Sequence, residues 1–149
     1  FICDRSEWIA ATAKRGTTMK GYVRTHFDIA VDWRTVDYRG DRVESFAGFG
    51  RTIDLFGDGS VRLISTPGHS AGHQSILLRL AQGELLIAAD AAPTVDVLDG
   101  TKQPFIAEDD HLSERSLREM RAYRRLTPNA VIVPGHDSDA WNGLAAVYA

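Results

Sequence analysis

The sequence predicts a mixed α/β fold, and three stretches carry that expectation. Thr52-Ile53-Asp54-Leu55-Phe56 and Val61 to Ser65 alternate in polarity on either side of Gly57-Asp58-Gly59, the pattern of two strands joined by a tight turn. Leu85-Leu86-Ile87-Ala88-Ala89 is apolar throughout, as in a strand covered on both faces, and it stops abruptly at Asp90. Between Ser113 and Leu126, the residues Leu117, Met120 and Tyr123 recur at helical spacing, so one face of a helix turns toward a core.

The remaining elements follow in chain order. Phe1 to Cys3 reads as the end of a buried strand. Ser6 then caps a short helix through Arg15, with Trp8, Ile9 and Ala13 on one face and Gly16 just past its end. From Thr17 to Phe49 periodicity weakens. Tyr22, Phe27, Trp33, Tyr38, Phe46 and Phe49 are scattered among charges, which suits an irregular or partly helical insertion lining a cleft, although aromatics so placed more often cover a core. Ser75 to Leu80 is a strand and Gln82-Gly83-Glu84 a turn. Residues 91–110 contain Pro93, Gly100 and Pro104 and read as a long loop; Ser113 caps the helix that ends at Leu126. After Thr127-Pro128-Asn129, a short buried strand from Ala130 to Val133 runs into Pro134-Gly135-His136-Asp137.

Composition bounds the function. A chain of 149 residues is long enough for one domain with a real core and short for two. Hydrophobic residues make up 44% and charged residues 25%, ordinary for a globular chain. A net charge of −3, from 17 basic and 20 acidic residues, gives no electrostatic reason to bind nucleic acid or an anionic membrane. Cys3 is the sole cysteine, so neither an internal disulfide nor a cysteine-rich zinc cluster can form. No apolar run approaches the roughly 18 residues that span a bilayer, and no secretory leader opens the chain. The expected compartment is the cytoplasm.

The chemistry lies at strand ends. His69, Asp90 and His136 each follow a hydrophobic strand directly. A carboxylate placed after five apolar residues must be paired, solvated in a cleft or bound to metal, because an isolated charge is expensive to bury. Two imidazoles and a carboxylate are a donor set suited to zinc and similar divalent ions. Pro67-Gly68 and Pro134-Gly135 precede the two histidines and allow sharp turns that fix the imidazole directions. Taken singly, each of these residues is more readily a loop residue held by hydrogen bonds; only the shared placement makes them a set. His73 reads as a structural hydrogen-bonding residue, and His26 and His111 carry no pattern. No Ser or Cys nucleophile motif is present.

Thr66-Pro67-Gly68-His69-Ser70-Ala71-Gly72-His73, the strand ending in Asp90, and Val133-Pro134-Gly135-His136-Asp137 together resemble motifs of the metallo-β-lactamase superfamily. The spacings of 21 and 46 residues between His69, Asp90 and His136 agree with it, and the likeness runs over nearly the whole chain. Within the superfamily, the stretch from His69 to Ser75 and the Gly135-His136-Asp137 ending are most similar to N-acyl-homoserine lactonases. The resemblance implies a partial αββα sandwich, mainly its C-terminal sheet with the helices. It implies two Zn2+ ions per intact site, with His69 on one, His136 on the other, and Asp90 bridging them as the catalytic carboxylate.

Two departures accompany the resemblance. The family's His-x-His-x-Asp-His motif is absent, since no two of the five histidines are separated by one residue. The expectation is therefore that residues 1–149 form a single, truncated domain, inactive alone, with an exposed apolar sheet face that favours oligomerisation. Where these lactonases commonly place a tyrosine three residues after the bridging aspartate, this chain has Pro93. For the intact protein the implied activity is metal-assisted hydrolysis of a small acyl substrate, a lactone ring such as an N-acyl-homoserine lactone. A thioester hydrolase of the glyoxalase II type and a non-catalytic metal-binding module are the alternatives.

Overall fold

The structure is a computed structural model that describes residues 1–13 and 21–145. Its centre is a six-stranded sheet in the order β3-β4-β5-β6-β7-β8, formed by Glu44–Phe46, Phe49–Asp54, Val61–Ser65, Gln74–Leu80, Gly83–Ala89 and Val131–Pro134. All neighbouring pairs are antiparallel except β7 and β8, which run parallel with Leu86 opposite Ile132 and Ile87 opposite Val133. A second sheet of two parallel strands, β1 (Ile2–Asp4) and β2 (Arg34–Val36), was not expected from the weak periodicity of residues 17–49.

Helix α4 (Asp110–Leu126) lies on one face of the large sheet. Leu117, Met120 and Tyr123 from the helix pack with Phe49, Ile64, Leu77, Leu86 and Ala88 from the strands, and Val97 and Leu98 of the short helix α3 (Val95–Asp99) close the same cluster. The Phe49 and Tyr123 rings stack at 5.2 Å. Because side chains alternate along a strand, Leu85 and Ile87 point to the opposite face. There Tyr38, Val36 and Val43 cover Ile53 and Leu63 in a second, smaller cluster. Ile76, Leu78 and Ile87 stay half-buried. The expected bare apolar face is thus covered at one end by residues 36–43, and the most exposed large apolar side chains, Phe1, Phe56 and Phe105, lie off the sheet's faces.

Several sequence expectations need correction. Phe1 and Ile2 are exposed, so β1 is not a buried strand in this structure. Helix α1 (Arg5–Thr12) is capped by Asp4, whose carboxylate accepts the Ser6 amide at 2.5 Å, and it ends at Thr12, where the extended backbone of Ala13 stops it short of the expected Arg15; Arg15 and Gly16 themselves lie outside the described residues. Similarly, Asp109 and not Ser113 caps α4, accepting from the Leu112 amide at 2.9 Å, and Ser113 sits buried one turn in. In both places an ionised carboxylate a few residues upstream takes the first free amides, a stronger interaction than a hydroxyl offers. Residues 24–27 form α2 (Arg24–Phe27). The β3–β4 hairpin turns on Ala47 and Gly48, both with positive φ, a turn that the Ala at its first position hid from the sequence. The expected loop 91–110 contains α3, capped by Thr94 and closed by Gly100 in the left-handed region. A last short helix, α5 (Ser138–Asn142), is capped by Asp137. Among the described residues no helix is long and apolar enough to cross a membrane.

Leu86 has no exposed surface between α4 and the sheet. Replacing it with Ala is expected to lower unfolding free energy by about 2–5 kcal/mol, measured as a reduced urea midpoint with an unchanged slope.

Candidate functional site

Strand directions decide which loops meet. β5 ends at Ser65, β6 begins at Gln74, and their pairing Ser65↔Gln74 places the 66–73 turn at one edge of the sheet. β7 is antiparallel to β6, so Ala89 arrives at the same edge, and β8, parallel to β7, delivers Pro134 there too. His69, Asp90 and His136 therefore emerge together.

They are in direct contact. The His136 Nε2–H donates to Asp90 Oδ1 at 2.7 Å, and His69 Nε2 lies 3.5 Å from Asp90 Oδ2, so each imidazole faces a different oxygen of one carboxylate. Their side chains are 30% (His69), 37% (Asp90) and 71% (His136) exposed, which leaves the cluster open to an incoming ligand. Beside it lies a cavity of about 750 Å³ lined by Glu7, Tyr22, His69, His73, Asp90 and Ile106 among others.

Backbone geometry locks this edge. Gly68 has φ +136°, and a Cβ there would lie 2.3 Å from the Ser113 amide nitrogen, so only glycine fits beneath α4. The Gly68 carbonyl accepts from the Glu108 and Asp109 amides, and Ser116 Oγ donates to the Pro67 carbonyl at 2.8 Å. Across the site, the Gly135 and His136 amides donate to the Ala92 and Pro93 carbonyls, at 3.2 and 2.7 Å. Pro93 thus holds the His136 backbone and brings no hydroxyl. Asp137 accepts from Val95 N at 2.9 Å and Ala140 N at 3.0 Å, tying the segments after Asp90 and His136 together.

His73 is not at the Asp90 carboxylate. Its Nδ1 meets Thr66 Oγ1 at 2.9 Å, Thr66 Oγ1 meets Ser75 Oγ at 3.0 Å, and Ser75 Oγ donates to the Ala88 carbonyl at 3.1 Å. Burial first, then the neighbouring His69, pulls the His73 pKa down to about 4, which keeps the imidazole neutral. The His69 and His73 rings meet edge to face at 5.9 Å. His26 and His111 are exposed. The cavity also takes Glu7, from α1, which carried no sequence signal, and Tyr22, one of the scattered aromatics expected to line a cleft, whose phenol is pushed up to about 12 by burial and by Glu7. Neither sits in a motif, and only the fold brings them here.

The aromatics of residues 22–49 divide. Trp33 packs on Phe1 and Trp8, and Phe46 joins the core beneath Arg62. Tyr22 alone among the six lines the cavity.

Whether the three residues suit a divalent ion can be tested on their spacing. Among the described residues no group of three or more His, Cys, Asp or Glu surrounds a common point as it stands. Two tetrahedral zinc ligands at about 2.1 Å from the ion lie roughly 3.4 Å apart, and His69 Nε2 to Asp90 Oδ2, at 3.5 Å, meets that spacing. His136 is hydrogen-bonded to Asp90 and must swing outward by under about 1 Å to share a cation with it. The donor set fits in kind, and one of its two edges fits in distance.

Comparison with known proteins agrees with the fold. The family profile of the metallo-beta-lactamase superfamily matches residues 9–136. N-acyl homoserine lactonase AttM of Rhizobium radiobacter is 34% identical over 142 residues, covering 94% of this chain and 50% of that protein. An N-acyl homoserine lactonase of Bacillus thuringiensis is 33% identical over 78 residues, covering 52% of this chain and 30% of that protein. The crystal structure of a quorum-quenching N-acyl homoserine lactone lactonase superposes with a TM-score of 0.74 at 21% identity, over 97% of this chain and 51% of that one. An N-acyl homoserine lactone hydrolase with N-hexanoyl-L-homoserine at its catalytic metal center gives 0.76 at 21% identity, over 99% and 52%. The chain spans about half the length of the curated relatives it matches.

A Cβ at Gly135 would approach the Ala89 carbonyl oxygen to 2.8 Å and Asp90 Oδ1 to 3.1 Å. Gly135→Ala is therefore expected to cost about 1–3 kcal/mol and to part His136 from Asp90, seen as a lower thermal midpoint together with shifted His136 ring resonances.

Proposed function

The chain belongs to the metallo-β-lactamase superfamily, and from that premise we propose that it carries His69, Asp90 and His136 as the metal-ligating residues of a hydrolase that opens lactone rings, N-acyl homoserine lactones among them. The observation that carries this reading is the Asp90 carboxylate, which offers one oxygen to each imidazole at the wall of the cavity. That is the disposition a bridging carboxylate needs. The named lactonase relatives supply the substrate class.

Divalent cations held here, two zinc ions in an intact site, would supply Lewis acidity and a water acidic near pH 7. The chain's own residues do the rest. His69 and His136 each bring a ring nitrogen to a different oxygen of Asp90. His73, kept neutral by burial, cannot compete with a cation by charge and supports the turn that carries His69. Tyr22 keeps its proton at ordinary pH and is the cavity's phenol, in a chain where Pro93 offers no donor.

The sequence has no His-x-His-x-Asp-His segment, and three residues cannot saturate two ions. We therefore expect residues 1–149 alone to bind a cation weakly and to turn over little, and the intact protein to need that segment. The substrate is a small acyl compound, and the chain's modest negative charge gives no pull toward nucleic acid or an anionic membrane.

The test compares N-hexanoyl-homoserine lactone with a glutathione thioester, using a protein that contains residues 1–149 joined to a His-x-His-x-Asp-His segment. Lactone opening, followed by acid release, is expected to exceed thioester cleavage. Asp90→Asn should lower kcat/KM by at least about 100-fold, roughly 2.7 kcal/mol of transition-state stabilisation. Faster thioester cleavage would assign the glyoxalase-like activity instead, and metal binding without turnover of either would make the protein a binding module.

A further inference from the structure

We propose that Glu7 is a positioning residue: its carboxylate, carried in on the first turn of α1, sets the shape of the 69–73 turn and through it the direction of the His69 imidazole. The proposal rests on the reading of His69 as a ligand only for its consequence on metal binding, and its structural half stands without it.

One oxygen of Glu7, Oε2, accepts both the Ser70 hydroxyl at 2.9 Å and the Gly72 amide at 2.7 Å, from residues more than sixty positions away. An ionised carboxylate suits two converging donors on one atom better than a neutral oxygen does. The approach is as close as the chain allows: a Cβ at Gly72 would fall 2.4 Å from the Glu7 amide nitrogen and 2.8 Å from Glu7 Cβ. Gly72 is buried, so its amide has no other route to satisfaction.

The consequence reaches His69 through its two neighbours. On one side Gly68 is pinned beneath α4 by the Glu108 and Asp109 amides. On the other, Ser70 is held by Glu7 through its side chain, while its carbonyl accepts the Gly68 amide at 3.0 Å. His69 stands between these anchors, and its ring contacts outside Asp90 are weak: Nδ1 to the Ile106 carbonyl at 3.4 Å and an edge-to-face approach to the His73 ring at 5.9 Å. Its direction is set by its backbone, and Glu7 fixes one half of that backbone.

The experiment uses the full 149-residue chain without metal, with Glu7→Ala, Glu7→Gln and Ser70→Ala variants. Imidazole ¹⁵N–¹H spectra should show the His69 ring signals shifted or broadened in Glu7→Ala, those of His136 unchanged, and recovery in Glu7→Gln, which keeps an acceptor. Cobalt(II) titration should show affinity lowered about 10-fold or more in Glu7→Ala and close to wild type in Glu7→Gln. If Glu7→Ala does not fold, Ser70→Ala must move the His69 signals, because it removes one of the two donors. Unchanged His69 signals in a folded variant overturn the proposal and reduce Glu7 to a helix-docking contact. If the wild-type chain takes no cobalt yet its His69 signals respond to Glu7→Ala, the positioning role stands and the ligand role of His69 falls.

Discussion

A carboxylate at the end of a buried strand has to be satisfied, and the arrangement of this edge of the molecule follows from how Asp90 is. β7 brings Asp90 out of a strand whose Leu86 and Ala88 are wholly buried. No arginine or lysine contacts the carboxylate among the ion pairs described; two imidazoles do. The sheet topology achieves this: β6 is antiparallel and β8 parallel to β7, so that one turn and two strand ends share an edge. The parallel β7–β8 pair demands a long crossover, and residues 91–130 supply it with α3 and α4. The helix that fills that crossover is the one that covers the hydrophobic face. Core and site are thus products of the same connection.

Close backbone approach makes the edge rigid. Gly68 under Ser113, Gly72 against Glu7 and Gly135 against Ala89 are three places where a side chain has no room. Each joins the site to a different support: α4, α1 and the end of β7. Ala89 itself has φ +48°, a conformation disfavoured for a residue with Cβ by about 1 kcal/mol or more. The left-handed residue turns the chain just before Asp90, and the absence of a side chain at Gly135 leaves room for the Ala89 carbonyl there.

The central sheet and the three strand-end residues are legible in the sequence because their signals are local and strong: apolar runs broken by single polar residues, and Pro-Gly pairs before histidines. Elements whose tertiary contacts override local pattern are not legible there. β2 has three residues, Arg34–Val36, mostly exposed, and is a strand only because β1 pairs with it. β3 and its turn at Ala47 were hidden because Ala is a poor marker of positive φ. Both helix caps were placed on hydroxyls when aspartates stood a few residues upstream. Glu7 could not have been found, since nothing in Arg5-Ser6-Glu7-Trp8 distinguishes a carboxylate at the cavity from a solvated helix charge, and Tyr22 was one of six scattered aromatics that the pattern alone could not rank. The long separation that makes them informative in space makes them silent in sequence.

The contacts between Asp90 and the two histidines also bear on what the site would do with a cation. As they stand they are a hydrogen-bonded cluster, which satisfies the carboxylate and holds both imidazoles nearby. Opening the His136–Asp90 bond sacrifices a charge-assisted hydrogen bond, but with His136 71% exposed water recovers most of it, leaving a net cost of about 1 kcal/mol. Structural zinc sites gain on the order of 10 kcal/mol on binding. The closed cluster would therefore lower the affinity of the proposed site by about 5-fold and would not by itself prevent binding. On the proposed reading, the number of donors, three here, would limit affinity more than their present attachment to one another.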